Sequence, residues 1–241
     1  MAKDYSNQQS VNRTSQATKA DVDAGLRAYM LGIYNYMTLG LGITGLTAFG
    51  VSQSPELLNL IYTTPLQWVV MLAPLAFVFF FASRLHTMQT STAQALFWVF
   101  SVLMGVSLSY IFIAYTGASI TRVFFITAGT FAATSLYGYT TSRDLTSFGS
   151  FLFMGLIGIV IASVVNIFLA SSALEFAISV IGVLVFTGLT AYDTQRIKHT
   201  YHMLGGNKEA AAKFAISGAL SLYLDFINLF LMLLRLFGDR R

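Results

Sequence analysis

The sequence predicts an all-α integral membrane protein with seven transmembrane helices. Of its 241 residues, 56% are hydrophobic and only 10% are charged, whereas soluble domains carry about 25% charged residues. The mean hydropathy of +0.68 reflects long apolar runs, each near the roughly 20 residues that a helix needs to cross a bilayer. These runs are continuous rather than alternating in polarity, which disfavours a membrane β-barrel.

The chain divides into a polar N-terminal tail, residues 1–28, and a transmembrane domain, residues 29–241. The tail has no apolar core and is therefore not a secretory signal. The breaks between the apolar runs are short and contain turn-forming residues, so consecutive helices should be antiparallel neighbours. We place the seven spans at about residues 29–51, 66–84, 93–115, 121–141, 148–170, 174–197 and 214–236.

The charges of the loops predict the orientation of the bundle. With the N-terminus in the cytoplasm, ten of the 14 Lys and Arg residues face the cytoplasm and the other four face outside. This asymmetry follows the positive-inside rule, and seven spans then place the C-terminus outside. The basic C-terminal stretch "RLFGDRR" leaves one alternative, in which the last segment is re-entrant and the C-terminus is cytoplasmic.

The composition also excludes several kinds of chemistry. Because the chain has no cysteine, disulfides, cysteine-ligated metals, iron–sulfur clusters and thiol catalysis are ruled out. The net charge of +4 indicates loop topology rather than nucleic-acid binding. A retinal Schiff base needs a lysine within a span, and every lysine lies in a tail or a loop. We expect no tightly bound cofactor and no enzymatic activity.

A polar stripe marks the seventh span. Ser217, Ser221, Asp225 and Asn228 follow spacings of 4, 4 and 3 residues, so they lie on one helix face. A bare carboxylate at the centre of a bilayer costs at least roughly 2.5–3.5 kcal/mol. This face must therefore contact protein or water, and Asp225 is a candidate for a functional group on an ion or proton path.

A second acid, Asp193, lies in the stretch "TGLTAYDTQRIKHTYH". It precedes Arg196 by three residues, so a local ion pair would explain it. If the sixth helix ended at Arg196, Asp193 and Asp225 would differ in depth by about 13 Å, but by only about 4–5 Å if the helix continued to His202. Pairing of the two acids therefore predicts a sixth helix that continues to about His202.

Paired acids at this position predict a pH-gated cation path. Two adjacent carboxylates in a low dielectric cannot both ionise cheaply and would share one proton. Arg84, at the end of the second span, could neutralise the remaining charge. At higher pH both acids would ionise and attract a hard divalent cation such as calcium, for which Asp193 and Asp225 are candidate ligands.

Two strings in the last two spans are similar to the signature ends of a known family. "AYDTQRIKH" (191–199) and "SLYLDFINLFLMLLRLFG" (221–238) resemble the Bax inhibitor-1 family, also called the transmembrane Bax inhibitor motif family, and its bacterial branch above all. The resemblance implies a seven-helix fold with a central last helix, and a pH-sensitive calcium leak in a bacterial inner membrane. It also implies that Asp193 and Asp225 are the pH sensor, with Arg84 as the candidate latch.

Two other functions stay open at this point. Some bacterial relatives resemble modulators of a membrane-bound protease, so the protein could bind another membrane protein without conducting ions. Its contact surfaces would then be the tail and the basic loop from Arg196 to Lys213. The enzymatic alternative is an intramembrane aspartyl protease, but Asp225 follows "LYL" where that motif requires Gly-x-Gly.

Overall fold

The computed structural model describes residues 2–85 and 87–241, with side chains described from residue 24 onward, and the regular elements of this part of the chain are all helices. Of the predicted tail, residues 1–28, the side chains up to position 23 lie outside the described part of the structure. The helices are α1 (Ala2–Ser52), α2 (Pro55–Tyr62), α3 (Leu66–Arg84), α4 (Thr90–Leu108), α5 (Ile111–Ala114), α6 (Gly117–Thr140), α7 (Thr146–Leu169), α8 (Ser172–Met203) and α9 (Lys208–Phe237).

The predicted all-helical fold is confirmed, and the predicted spans coincide with α1, α3, α4–α5, α6, α7, α8 and α9 to within a few residues at most ends. Five stretches of the described chain have the length and apolar composition of a membrane span: α3, α4 with α5, α7, α8 and α9. Helix α6 is less apolar because hydroxyl-bearing residues and glycine recur along it. The count of seven spans therefore stays a prediction.

The last helix, α9, occupies the centre of the packing. It contacts α1, α4, α6 and α8, whereas α3 packs mainly against α2 and α4, and α7 mainly against α8. Large α9 side chains are completely buried, among them Leu222, Tyr223 and Leu229. The central position arises because apolar residues cover almost every face of α9 apart from the polar stripe.

A buried hydrogen-bond chain fixes α9 to α1 and α4. Thr44 Oγ1 donates to the carbonyl oxygen of Ser101 at 2.8 Å. It also lies 2.6 Å from the Tyr223 hydroxyl, which must therefore be the donor in that second bond. Edge-to-face contacts of the Tyr223 ring with Phe97 and Phe100 complete the interface. Such polar contacts are valuable in lipid, where the hydrophobic effect does not drive helices together.

The C-terminal residues lie at the end of the bundle opposite the α8–α9 turn. The Asp239 carbonyl oxygen accepts a hydrogen bond from the Thr116 amide, and the Arg241 amide donates to the Ala114 carbonyl oxygen. Arg122 pairs with Asp239 at 3.1 Å, and Arg240 pairs with Glu175 at 2.6 Å. Helix α9 runs without a break between these two ends, as the prediction of a seventh crossing span requires.

Candidate functional site

Helix α8 continues past Arg196 to Met203, as pairing of the two acids requires. Its end is set by Gly205 and Gly206, which adopt positive φ angles of 55° and 86° that glycine tolerates at little cost. No glycine or proline interrupts the last three turns before that point. The predicted extension of this helix to about His202 is therefore confirmed. Of the two calculated differences in depth between Asp193 and Asp225, the smaller one applies.

Asp193 and Asp225 line one cavity of about 510 Å³ between α7, α8 and α9. Both side chains therefore border the same space. Asp225 is 6% exposed, and its Oδ2 has no hydrogen-bond partner among the described residues. An unpartnered buried carboxylate oxygen is costly, so it is a strong acceptor for a proton or a cation that enters the cavity. A proton shared by the two acids stays a prediction.

Arg196 joins the two helices at the mouth of this cavity. Its Nη2 lies 3.2 Å from Asp193 Oδ1, which confirms the local ion pair considered from the sequence. The same nitrogen donates to Ser221 Oγ of α9 at 3.3 Å, and the guanidinium carbon lies 5.7 Å from the centroid of the Tyr192 ring. Arg196 thus places one positive charge beside the acids.

The polar stripe of α9 faces the cavity. Ser221, Asp225 and Asn228 line it, while Ser217 is half-buried one turn nearer the start of the helix. The serine and asparagine members are less buried than most of their neighbours in the helix. The stripe therefore supplies hydroxyl and amide oxygens beside the two carboxylates.

The structure does not bring Arg84 to the acids. Arg84 is exposed in the last turn of α3, and it is not among the residues that line the cavity. Helix α3 packs mainly against α2 and α4, whereas the cavity belongs to α7, α8 and α9. The arginine beside the acids is Arg196, which the sequence placed only in a local pair.

A chain of hydroxyl groups lies next to the site and was not predicted from the sequence. Thr194 Oγ1 donates to the carbonyl oxygen of Thr190 at 2.7 Å and lies 2.9 Å from Ser135 Oγ. Ser135 Oγ in turn lies 2.6 Å from the Tyr34 hydroxyl. Since Thr194 has one proton, the donors run from Tyr34 to Ser135 to Thr194. Single hydroxyls on three separate helices give no periodic signal, so only their proximity in the structure reveals them.

Gln195 shapes the same end of α8. Its Oε1 accepts from the Leu145 amide at 2.9 Å, and its Nε2 donates to the Arg143 carbonyl oxygen at 2.7 Å. The side chain therefore holds the α6–α7 connection against α8. The role of Gln195 was also not predicted, because a glutamine near a helix end has the pattern of an ordinary solvated residue.

The oxygen ligands available to a metal ion in this cavity are few. Among the described residues, no group of three or more His, Cys, Asp or Glu side chains could hold a metal ion. The cavity offers two carboxylates, the Ser221 hydroxyl and the Asn228 amide, while calcium takes six to eight oxygen ligands. A cation held by these four side chains would keep part of its water shell.

Comparison with known proteins assigns the family. The family model described as inhibitor of apoptosis-promoting Bax1 matches residues 26–241. A Rickettsia prowazekii protein is 51% identical over 228 residues, covering 95% of this chain and 96% of its own length. The Escherichia coli inner membrane protein YbhL is 48% identical over 220 residues, covering 90% and 94%. A Streptococcus pyogenes membrane protein is 35% identical over 218 residues, covering 90% and 94%. The chain therefore belongs to the Bax inhibitor-1 family of membrane proteins.

Proposed function

We propose that the protein is a pH-modulated calcium leak channel, in which Asp193 and Asp225 form the proton sensor and the gate. The observation that carries this proposal is the common cavity that the two acids line inside a helical membrane protein. Ionisable residues within spans are expensive and mark ion or proton paths by default. In this protein two ionisable residues come from the neighbouring helices α8 and α9 and line the same cavity.

The proposed pH response has a definite sign. At low pH the two acids hold one proton between them, and Arg196 offsets the single remaining charge. As the pH rises, the second acid ionises and two like charges face each other in a poorly solvated cavity. Repulsion then favours a wider cavity, and its negative charge attracts a divalent cation. Calcium flux is therefore expected to increase with pH.

The cation would pass as substrate and not as a resident metal. The carboxylates of Asp193 and Asp225 supply the charge, and the side-chain oxygens of Ser221 and Asn228 add neutral ligands. A weak, partly hydrated site of this kind suits conduction, which requires that an ion also leaves.

The topology proposed for this function has seven spans. Five are the strongly apolar helices, and α1 and α6 are the other two. The N-terminus is cytoplasmic by the positive-inside rule. A bacterial inner membrane is the proposed location, in keeping with the inner-membrane relative from Escherichia coli. Its partners in this proposal are the lipid bilayer and calcium ions.

Calcium flux into proteoliposomes tests the function. We expect the purified wild-type protein to admit calcium to an enclosed indicator, with a rate that rises with pH, because the second of two adjacent carboxylates ionises only under more alkaline conditions. The double variant with Asp193→Asn and Asp225→Asn should lose this pH dependence, because neither amide ionises.

Asp144→Asn is the matched control, since Asp144 is an exposed acid in the α6–α7 connection. The proposal fails if the double variant keeps the wild-type flux and its pH dependence. It also fails if the folded wild-type protein carries no calcium at any pH, which would favour the non-conducting regulator that binds another membrane protein.

A further inference from the structure

A second cavity lies between α1 and α6 and shares no lining residue with the acidic cavity. It has a volume of about 560 Å³ and is lined almost entirely by apolar side chains. Arg27 and Tyr139 lie at one end, whereas Thr38 and Phe131 lie near the other. Its size and character are those of a ligand site.

This cavity, called the groove from here on, opens on the outer surface of the bundle. Helix α1 packs against α4 and α9, and α6 packs against α8 and α9, so the two helices flank α9 and leave a groove between them. Two lining residues, Leu31 and Leu136, are 51% and 62% exposed. In a membrane these exposed walls face lipid, so the groove can be entered sideways from the bilayer.

The length of the groove matches one leaflet. From Arg27 to Thr38 the chain advances 11 residues, or about 16 Å of helix. That distance is about half of the roughly 30 Å hydrocarbon core. The polar groups on the floor, Tyr34 and Ser135, are bonded to each other at 2.6 Å. An occupant must therefore be apolar along its length.

The end of the groove carries positive charge. Arg27 is exposed and forms no ion pair among the described residues. Lys198 lies nearby, with its Nζ 2.8 Å from the carbonyl oxygen of Tyr139. Basic residues at the cytoplasmic mouth of a cleft between spans favour anionic headgroups. The geometry points to a site for one acyl chain of an anionic phospholipid, with the headgroup phosphate on Arg27.

The role of the Arg27 charge at the end of the groove is tested with the protein in nanodiscs of equal parts phosphatidylglycerol and phosphatidylcholine. Bound lipid is counted by native mass spectrometry after release. We expect wild type to retain phosphatidylglycerol preferentially, and Arg27→Gln to reduce that preference about fivefold, as for one basic residue near an anionic surface. Arg143→Gln, on an exposed loop arginine, should leave it unchanged.

The groove itself is tested by filling it. Ala132 lines the groove, whereas its neighbour Ala133 is exposed and does not. Ala132→Phe should therefore displace the retained lipid, while Ala133→Phe should keep it. The proposal is overturned if wild type shows no preference for phosphatidylglycerol, if Arg27→Gln keeps it in full, or if both alanine variants retain lipid equally. None of these readouts depends on calcium flux.

Discussion

Arg196 sets the charge of the acidic cavity more than it stabilises the fold. Its side chain is 49% exposed and pairs with a carboxylate on its own helix, and exposed pairs of this kind contribute about 1 kcal/mol or less. Its position matters more, because the same guanidinium lies near Asp193 and reaches α9 through Ser221. Removing it should change the electrostatics of the site and leave the helices in place.

Arg196→Gln is expected to move the pH dependence of calcium flux. The guanidinium stabilises the negative charge of the acid pair, so ionisation without it requires more alkaline conditions. The pH of half-maximal flux in proteoliposomes should therefore rise by roughly one unit. Arg196→Lys, which keeps the charge, should remain close to wild type.

Arg84→Gln is the matched control, because it makes the same substitution at an arginine outside the cavity. Because Arg84 is exposed at the end of α3 and does not line the cavity, its loss should leave the flux curve where it is. If Arg84→Gln shifted the curve and Arg196→Gln did not, the assignment of the arginine in this structure would be wrong and the latch implied by the family resemblance would hold.

At the scale of helices, close backbone contact fixes α6 against α8. Gly138 of α6 lies against the main chain of Ala191, and an added Cβ would collide with the Ala191 carbonyl oxygen. A main-chain obstacle cannot rotate away as a flexible side chain can. Glycine is therefore required here by the packing of the two helices, as small residues commonly are between spans.

Gly138→Ala is expected to destabilise the protein by about 1–3 kcal/mol, the usual cost of forcing extra volume into a packed interface. Gly129→Ala offers a matched control in the same helix, since a Cβ there meets nothing within 4 Å. Thermal unfolding in a single detergent should show a lower midpoint for the first variant alone. Equal midpoints for both would mean that α6 and α8 are not in contact at Gly138.

Much of the helix pattern could be predicted because continuous apolar runs define spans directly. The short helix α2 was not predicted, although Ser54 accepts a hydrogen bond from Leu57 as its N-cap and Pro55 begins it. Eight residues are too few to show a periodic pattern. The break between α4 and α5 was missed for a similar reason, because apolar residues flank Ser109 and Tyr110 on both sides.

The site was predictable where its signal lies within one helix. The stripe around Asp225 and the pair between Asp193 and Arg196 follow from spacing alone, and the length of α8 that the depth calculation required is the one observed. Contacts between distant segments were not accessible in this way. The Tyr34 and Ser135 hydroxyls are 101 residues apart, and the residue spacing within either helix gives no indication of the other hydroxyl.

For the whole molecule, the absence of native cysteine allows the orientation to be measured with single introduced thiols. We expect Ser142→Cys, in the α6–α7 connection, to react with a membrane-impermeant maleimide only after cells are opened. Arg241→Cys, at the opposite end of the bundle, should react in intact spheroplasts. Both predictions follow from a cytoplasmic N-terminus and an outward C-terminus.

The reverse labelling pattern would show that the bundle is inserted the other way round. Labelling of both thiols from the same side would contradict a last helix that crosses the membrane. The comparison uses the same reagent at two positions that are exposed in the structure, so differences in thiol access within the fold do not enter.

The hydrogen-bond chain from Tyr223 through Thr44 to Ser101 has a mechanical consequence for the acidic cavity. It anchors α9 to α1 and α4 on the side away from Asp225, so turning or sliding α9 would break buried bonds and separate the Tyr223 ring from Phe97 and Phe100. Helix α7, which forms the remaining wall, packs mainly against α8 alone. Widening the cavity therefore costs least when α7 swings outward into lipid while α9 stays still as the fixed axis of the bundle.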